Sequence, residues 1–307
     1  MARGVAATLP VTSYVIGGAL SAPLVARLQS QWGRKRSFQL GLLVAALSAG
    51  ACAYAVSQKS FVLLMLATLL AGFYQANAAL YRFAGTEVVA PSYKEKALSW
   101  VLAGGIVGAF IGPALANASV DMLPVRYAGA YLVLIGVAAA AFVALCFVEF
   151  PPHKAPAPGA SSGRPLGEIA RQPTFIVAVA AGALGYGVMN LLMAATPLAM
   201  QQCKHPFESA TLVLEWHVLG MFAPSFFTGH LIKRFGALPV MGAGVGLNLV
   251  CVAVALSGVD LMQFLVALFV LGVGWNFLYT GGSTLLTTTY RPEEKNKAQG
   301  AMDTCVF

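Results

Sequence analysis

"QSQWGRKRSFQLG" (residues 29–41) sets three cations, Arg34, Lys35 and Arg36, into a short gap between two long apolar runs. That crowding stands out, because 58% of the 307-residue chain is hydrophobic and only 10% is charged. The mean hydropathy of +0.76 exceeds what a soluble domain of about 45–50% apolar residues shows. A hydrocarbon core roughly 30 Å thick needs about 20 apolar residues in a helix. Runs of that kind, free of Asp, Glu, Lys and Arg, occupy 5–26, 37–58, 60–81, 97–120, 127–148, 172–203, 235–259 and 261–290. A ninth, 209–232, is interrupted only by Glu215, His217 and His230, and a tenth begins near Ala298. Lipid offers the backbone no partners, so these runs are expected as helices, and the alternation of barrel strands is missing. The expected fold class is an all-α integral membrane protein.

The net charge of +8 does not point to nucleic acid, because the cations are not gathered on one soluble patch. They sit in the gaps, and the gaps alternate. With residues 27–36 placed in the cytoplasm, that side holds Arg27, Arg34, Lys35, Arg36, Arg82, Lys94, Lys96, Lys154, Arg164, Arg171, Lys233, Arg234, Arg291, Lys295 and Lys297. The opposite gaps hold Lys59, Arg126 and Lys204. Cations concentrated on one side follow the positive-inside rule and fix the orientation. A cleaved signal peptide over residues 1–26 is the lesser reading, since the apolar run is long and ends at a basic stop.

Residues 150–172 change character, with Pro, Gly and Ser around Lys154, Arg164 and Arg171, and read as a linker. They divide the chain into 1–149 and 173–307. "ARLQSQWGRKR" (26–36) and "GHLIKRFGALP" (229–239) share a small residue, an aromatic and a Gly at matching offsets: Ala26, Trp32, Gly33 against Gly229, Phe235, Gly236. A duplicated unit would produce this.

Gly33, Arg34, Lys35 and Arg36 resemble the end of the Gly-x-x-x-Asp-Arg-x-Gly-Arg-Arg loop between the second and third helices of the major facilitator superfamily. Ala26, Ser30 and Gln31 depart from its first Gly, its Asp and its first Arg. "GGIVGAFIGPALA" (104–116) resembles the family's fifth-helix Gly-x-x-x-Gly-Pro stretch through Gly108, Gly112 and Pro113. The resemblance implies two pseudo-symmetric helical bundles joined by a cytoplasmic loop, with helices one, four, seven and ten lining a central cavity. On this numbering residues 5–26 are the second helix, so the chain is expected to lack the first and to end inside the eleventh. It also implies a monomeric carrier in a bacterial inner membrane, moving a small organic solute by alternating access, with proton-coupled efflux favoured by the Gly-Pro helix. "WHVLGMFAPSFFTG" and "GWNFLYTGGSTLL" resemble a subgroup that includes proposed riboflavin importers, the alternative reading. A sensor or partner subunit without transport is a further alternative.

Polar groups inside apolar runs are the site candidates, because they are costly in lipid and face a cavity or another helix. Tyr74, Gln75 and Asn77 fall in the fourth helix. Tyr186, Asn190 and Met193 share one face of the seventh by their spacing. Trp275, Asn276 and Tyr279 fall in the tenth. Such a lining suits a planar or amphipathic solute. Glu215 and His217 are the proton-coupling candidates, although two positions apart they point about 200° away from each other. Gly33 is expected to make a tight turn. Asp303 is expected to replace the missing loop Asp by pairing with Arg34. Gly108 and Gly112 are expected to bring helices close, with Pro113 bending theirs. "GAGVG" (242–246) lies in an apolar run and reads as packing. The five cysteines and four histidines show no metal or disulfide spacing. No hydrolytic or nucleotide motif is found, so neither an enzyme nor a cofactor is expected.

Overall fold

The computed structural model describes residues 9–152 and 163–307; Lys154 and its neighbours lie outside them. Among the described residues the regular elements are all helical. The first segment holds α1 (Leu9–Ser57), α2 (Phe61–Ala79), α3 (Tyr81–Gly85), a 3-10 turn (Pro91–Tyr93), α4 (Lys94–Ala103), α5 (Gly105–Ser119) and α6 (Ala128–Cys146). The second holds α7 (Leu166–Ala170), α8 (Pro173–Gln202), α9 (Phe207–Phe222), α10 (Ser225–Phe235), α11 (Ala237–Ser257), α12 (Leu261–Leu286), a 3-10 turn (Pro292–Glu294) and α13 (Lys295–Val306). Among the described residues eight stretches are long and apolar enough to cross a membrane, the first of them Leu9–Ser57, which reverses at Gly33. Their outward faces are apolar: Leu134, Val143, Leu249 and Leu256 are all exposed, as lipid contact requires.

The quoted stretch is where α1 reverses. Gly33 has φ 80 and ψ 173, a conformation that side chains resist and glycine accepts. Gly17, before it, packs on Leu69 of α2, and a Cβ on Gly41, after it, would lie 3.0 Å from the Asn77 Cβ of the same helix. Leu69 and Asn77 are roughly 12 Å apart along α2, whereas a straight helix would separate Gly17 from Gly41 by about 36 Å. Both contacts exist only if the chain folds back at Gly33. The duplicated partner does the same: Gly236, between α10 and α11, has φ 89 and ψ 162. The two loops thus share a backbone conformation as well as a pattern.

Five basic gaps meet on one face, as the charge count requires. Arg34 pairs with Glu87 at 2.7 Å, and Lys295 with the other oxygen of Glu87 at 2.9 Å. The Lys35 ammonium donates to the carbonyls of Cys146 and Val148. Lys233 donates to the Ser92 carbonyl at 2.7 Å, and Arg164 pairs with Glu294 at 2.7 Å. Two contacts on the opposite face stay within a segment. Lys59 and Arg126 line one hollow, and the His205 ring lies 2.7 Å from the Val259 carbonyl.

The two segments are joined by a symmetrical pair of seams, α1 with α13 and α4 with α10. Each is set by a glycine with no room for a side chain. A Cβ on Gly300 would come within 2.7 Å of the Ala26 Cβ, and one on Gly229 within 2.6 Å of the Glu95 carbonyl. Gly108 and Gly112 correct the expectation of close packing, because a Cβ on either meets nothing within 4 Å. They border an apolar groove between α5 and α6, so their small size leaves a gap there and makes no contact. The side chain of Pro113 lies outside the described residues.

Candidate functional site

Where α1, α2, α8 and α12 converge, aromatic rings gather. Trp275 and Tyr279, four residues apart on α12 and so on one face, stack with centroids 4.8 Å apart and planes 15° apart. Tyr186 of α8 faces both, at 6.3 and 6.1 Å. Phe307 meets Tyr186 edge-on at 5.8 Å, and Phe222 of α9 meets Trp275 at 5.9 Å. Tyr74 of α2 and Tyr14 of α1 neighbour Tyr186. Gln75 hydrogen-bonds Tyr186. Its Oε1 is buried without a partner, as is the indole Nε1 of Trp275. Buried polar atoms are normally paired, and these two have no protein partner. The cluster offers flat faces for stacking, worth about 0.5–1.5 kcal/mol per aromatic pair beyond burial, plus one acceptor and one donor.

Six of the nine expected cavity residues fit this picture differently from the other three. Tyr74, Gln75, Tyr186, Trp275 and Tyr279 converge, and Met193 lies nearby in a hollow of about 280 Å³ bordered by Phe110 and Glu215. Asn77 and Asn276 correct the expectation, because both are fully buried and bonded within the protein, Asn77 to its own helix and to α1, Asn276 to α9 and α10. Asn77 donates to the Phe73 carbonyl and accepts from Ser37 at 3.0 Å. Asn276 donates to the Met221 carbonyl and to Ser225, and accepts from Thr228 at 2.7 Å. Both amides are thus engaged inside the protein, away from the ring cluster. Asn190 is exposed on α8, outside the ring cluster.

Directly beside the rings lies a buried ion pair. The guanidinium of Arg82, on α3, stands 4.6 Å from the centroid of Tyr279 and 4.4 Å from that of Phe83. It donates to Asp303 at 2.6 Å, to Ser283 at 2.9 Å and to the Ala79 carbonyl. Both members of the pair are 1% exposed. The expected Arg34–Asp303 pair is therefore corrected: Asp303 is held by Arg82. Arg34 instead reaches Glu87, Gln29 and Gln299, the last at 2.6 Å. The physical reason is supply, since the buried Arg82 requires an anion of its own while Glu87 already meets Arg34.

Charge at the basic face follows the same contacts. Burial pushes the Glu87 carboxyl up, but Arg34 and Lys295 together pull it below the ordinary carboxylate range. The Arg164 guanidinium holds Glu294 well below that range. Burial pushes the Tyr290 hydroxyl up to about 12. Lys35 anchors the α6 end, and Arg36 is exposed. Glu215 is exposed, while His217 is wholly buried with its ring 2.7 Å from the Leu268 carbonyl.

Sequence reasoning passed over Tyr14, Glu87 and Arg82 as site members, and a further repeat would have exposed the last. "PSYKEKALS" (91–99) and "PEEKNKAQG" (292–300) match at Pro, both Lys and Ala. Each begins with a Pro-led 3-10 turn before its helix. That register puts Tyr74 and Gln75 opposite Trp275 and Asn276, and Arg82 opposite Ser283, the residue it touches.

Comparison with known proteins agrees with the geometry. The family model described as the Major Facilitator Superfamily matches residues 3–307. A riboflavin transporter of Brucella anthropi, RfnT, is 40% identical over 302 residues, which cover 98% of this chain and 76% of that protein. An uncharacterized MFS-type transporter of Bacillus subtilis, YdeG, is 28% identical over 98% of this chain and 74% of its own length. Among solved structures, the transporter FucP in its outward conformation has a TM-score of 0.78 at 16% identity, covering 100% of this chain and 81% of that one. With the loop motif, the helical architecture and these matches in accord over nearly the whole length, the chain belongs to the major facilitator superfamily, as a membrane transporter and not an enzyme.

Proposed function

We propose that this chain carries a flat, amphipathic heterocycle of the riboflavin kind across a bacterial inner membrane, acting as a monomer. The observation that carries this reading is the ring cluster: a stacked Trp275–Tyr279 pair with Tyr186 across from it and two unpaired polar atoms, Gln75 Oε1 and Trp275 Nε1. A fused planar ring with imide-like edges would stack on such faces and meet both a donor and an acceptor. The 40% identity to a riboflavin transporter supports the same solute class.

In this reading residues 1–149 and 173–307 act as two bundles, with 150–172 as their cytoplasmic linker, and they rock about the ring cluster. The state described here is closed on the basic face. Glu87–Lys295, Arg34–Gln299, Arg82–Asp303 and Lys233–Ser92 all bridge the two segments there. Gly33 sets the turn from which Arg34 reaches inward. Proton coupling is part of the proposal. Efflux has less behind it than uptake, because Gly108 and Gly112, which suggested efflux, mark no close helix approach: a Cβ on either meets nothing within 4 Å.

The test is riboflavin counterflow in proteoliposomes holding the full-length protein. Saturable exchange that is lost in Trp275→Ala and kept in Trp275→Phe supports the proposal. Absence of riboflavin exchange, with exchange of an unrelated solute, refutes it.

A further inference from the structure

We infer that Asp303 is the proton-carrying group of this transporter, and that its protonation releases Arg82 and loosens the seam between the two segments. This rests on the alternating-access reading above, and not on which solute is carried.

The ion pair is lopsided. Asp303 Oδ1 has one partner, Arg82 Nη2 at 2.6 Å, while Oδ2 is buried with no partner at all. Arg82 has several others: Ser283, the Ala79 carbonyl and the ring faces of Phe83 and Tyr279. Removing the charge on Asp303 therefore leaves the cation still solvated by protein. Removing the charge on Arg82 would leave a buried, half-satisfied carboxylate, the costlier outcome. Between the two, the carboxylate is the member that can accept a proton, with Oδ2 as the receiving atom. The proton is taken from solution and returned to it, and the first bond it loosens is the one from Arg82 Nη2 to Oδ1.

The neighbourhood contains no competing acid. From α1, Arg34 acts on Asp303, but it is already tied to Glu87. From α8 and α12, the groups that face the pair are Tyr186 and Tyr279. From α7 and the adjoining 3-10 turn, Glu168, Glu293 and Glu294 are set toward Arg164 instead. On α13 itself, Lys295 is tied to Glu87 and Lys297 to the Arg164 carbonyl. Among the described residues no second carboxylate shares the site. Position gives the proton its effect. Arg82 belongs to the first segment and Asp303 to the second, and Tyr279 joins the pair to the ring cluster. A proton on Asp303 removes the one fully charged buried link between segments, directly beside the solute rings. The earlier candidates lack this placement, since Glu215 is exposed, and His217, whose Nδ1 meets the Leu268 carbonyl while its Nε2 is unpaired, has its described partner within the second segment.

The test uses purified full-length protein in lipid nanodiscs with no solute added. The sequence holds three aspartates, and Asp121 and Asp260 are exposed. Infrared difference spectra on acidification should show a protonated carboxyl band that shifts when aspartate alone is carbon-13 labelled, and that is missing in Asp303→Asn. Spin labels at Arg36→Cys and Glu293→Cys, in a background without native cysteines, should separate as pH falls. The separated population should rise by up to about tenfold per pH unit, the ceiling for one proton. Asp303→Asn should be separated at every pH, and Asp303→Glu should keep the transition with a moved midpoint. An acid band insensitive to aspartate labelling in the wild type overturns the assignment, even if Asp303→Asn does not fold. So does an Asp303→Asn protein whose separation still follows pH. Failure of riboflavin to exchange would refute the solute proposal and leave these results untouched.

Discussion

Glu87→Gln isolates one link of the closed face. Glu87 lies in the first segment with Arg34, and its Oε2 receives Lys295 of the second at 2.9 Å. Glutamine keeps an acceptor for Arg34 but loses the charge that holds Lys295. Lys295 is 35% exposed, so solvent screens the pair and its worth is that of a partly exposed bridge, about 0.5–1 kcal/mol. A loss of that size raises the ratio of open to closed molecules roughly two- to fivefold. The readout is a cysteine at Ser99, a buried α4 residue with no hydrogen-bond partner. It lies on the same helical face as Glu95 and Lys96, which abut Gly229 of α10. Alkylation of Ser99→Cys from the cytoplasmic side should speed up two- to fivefold in Glu87→Gln. The sign with pH also follows. A carboxyl held below its ordinary range stabilises the closed face above its unfolded value and loses that effect only as pH falls through the lowered one. Between about pH 6 and 8 the Glu87→Gln effect should therefore be constant. An unchanged alkylation rate, or an effect that disappears within that window, would show that Glu87 does not latch the face.

Three further outcomes follow from the same contacts. Asn276→Leu removes three hydrogen bonds between α12 and the α9–α10 region; at about 0.6 kcal/mol each in a membrane it should cost roughly 2 kcal/mol of stability in a denaturation assay while solute affinity stays within about twofold. Gly33→Ala and Gly236→Ala each force a side chain into positive φ, costing about 1–2 kcal/mol, and only Gly33→Ala should also quicken Ser99→Cys alkylation, because Arg34 follows Gly33 directly. Gly300→Leu drives bulk against Ala26 and Ala22, so it should hold the α1–α13 seam apart and abolish transport while the protein remains monodisperse on sizing.

Spans and the sharing of one face by the basic gaps were readable because hydropathy and charge act along the chain. Each apolar run became one or two helices, and the five basic gaps met on one face. Gly33 was readable too, since a tight reversal beside cations left few residues to make it. Partner choice was not readable. A polar residue in an apolar run signals only that it must be satisfied. Asn77 and Asn276 find their partners, Ser37, Ser225 and Thr228, some 40 to 51 residues away, while Gln75, two positions before Asn77, keeps an unpaired oxygen. The same signal thus covers a helix stitch and a solute contact. Asp303 was singled out as an unusual charge and paired with Arg34, because the distance in sequence between Arg82 of α3 and Asp303 of α13 hides that these two side chains meet. Tyr14 was passed over because its helix was expected to lie outside the cavity lining.

The measurement that bears most directly on the account is a titration of riboflavin fluorescence against the purified full-length protein. Stacking on Trp275 and Tyr279 predicts saturable quenching at one site per monomer, weakened at least tenfold in Trp275→Ala, largely restored in Trp275→Phe and unaltered in Asn190→Ala. Quenching that survives Trp275→Ala at full affinity, or that is lost only in Asn190→Ala, would place the solute away from the ring cluster and contradict the proposal.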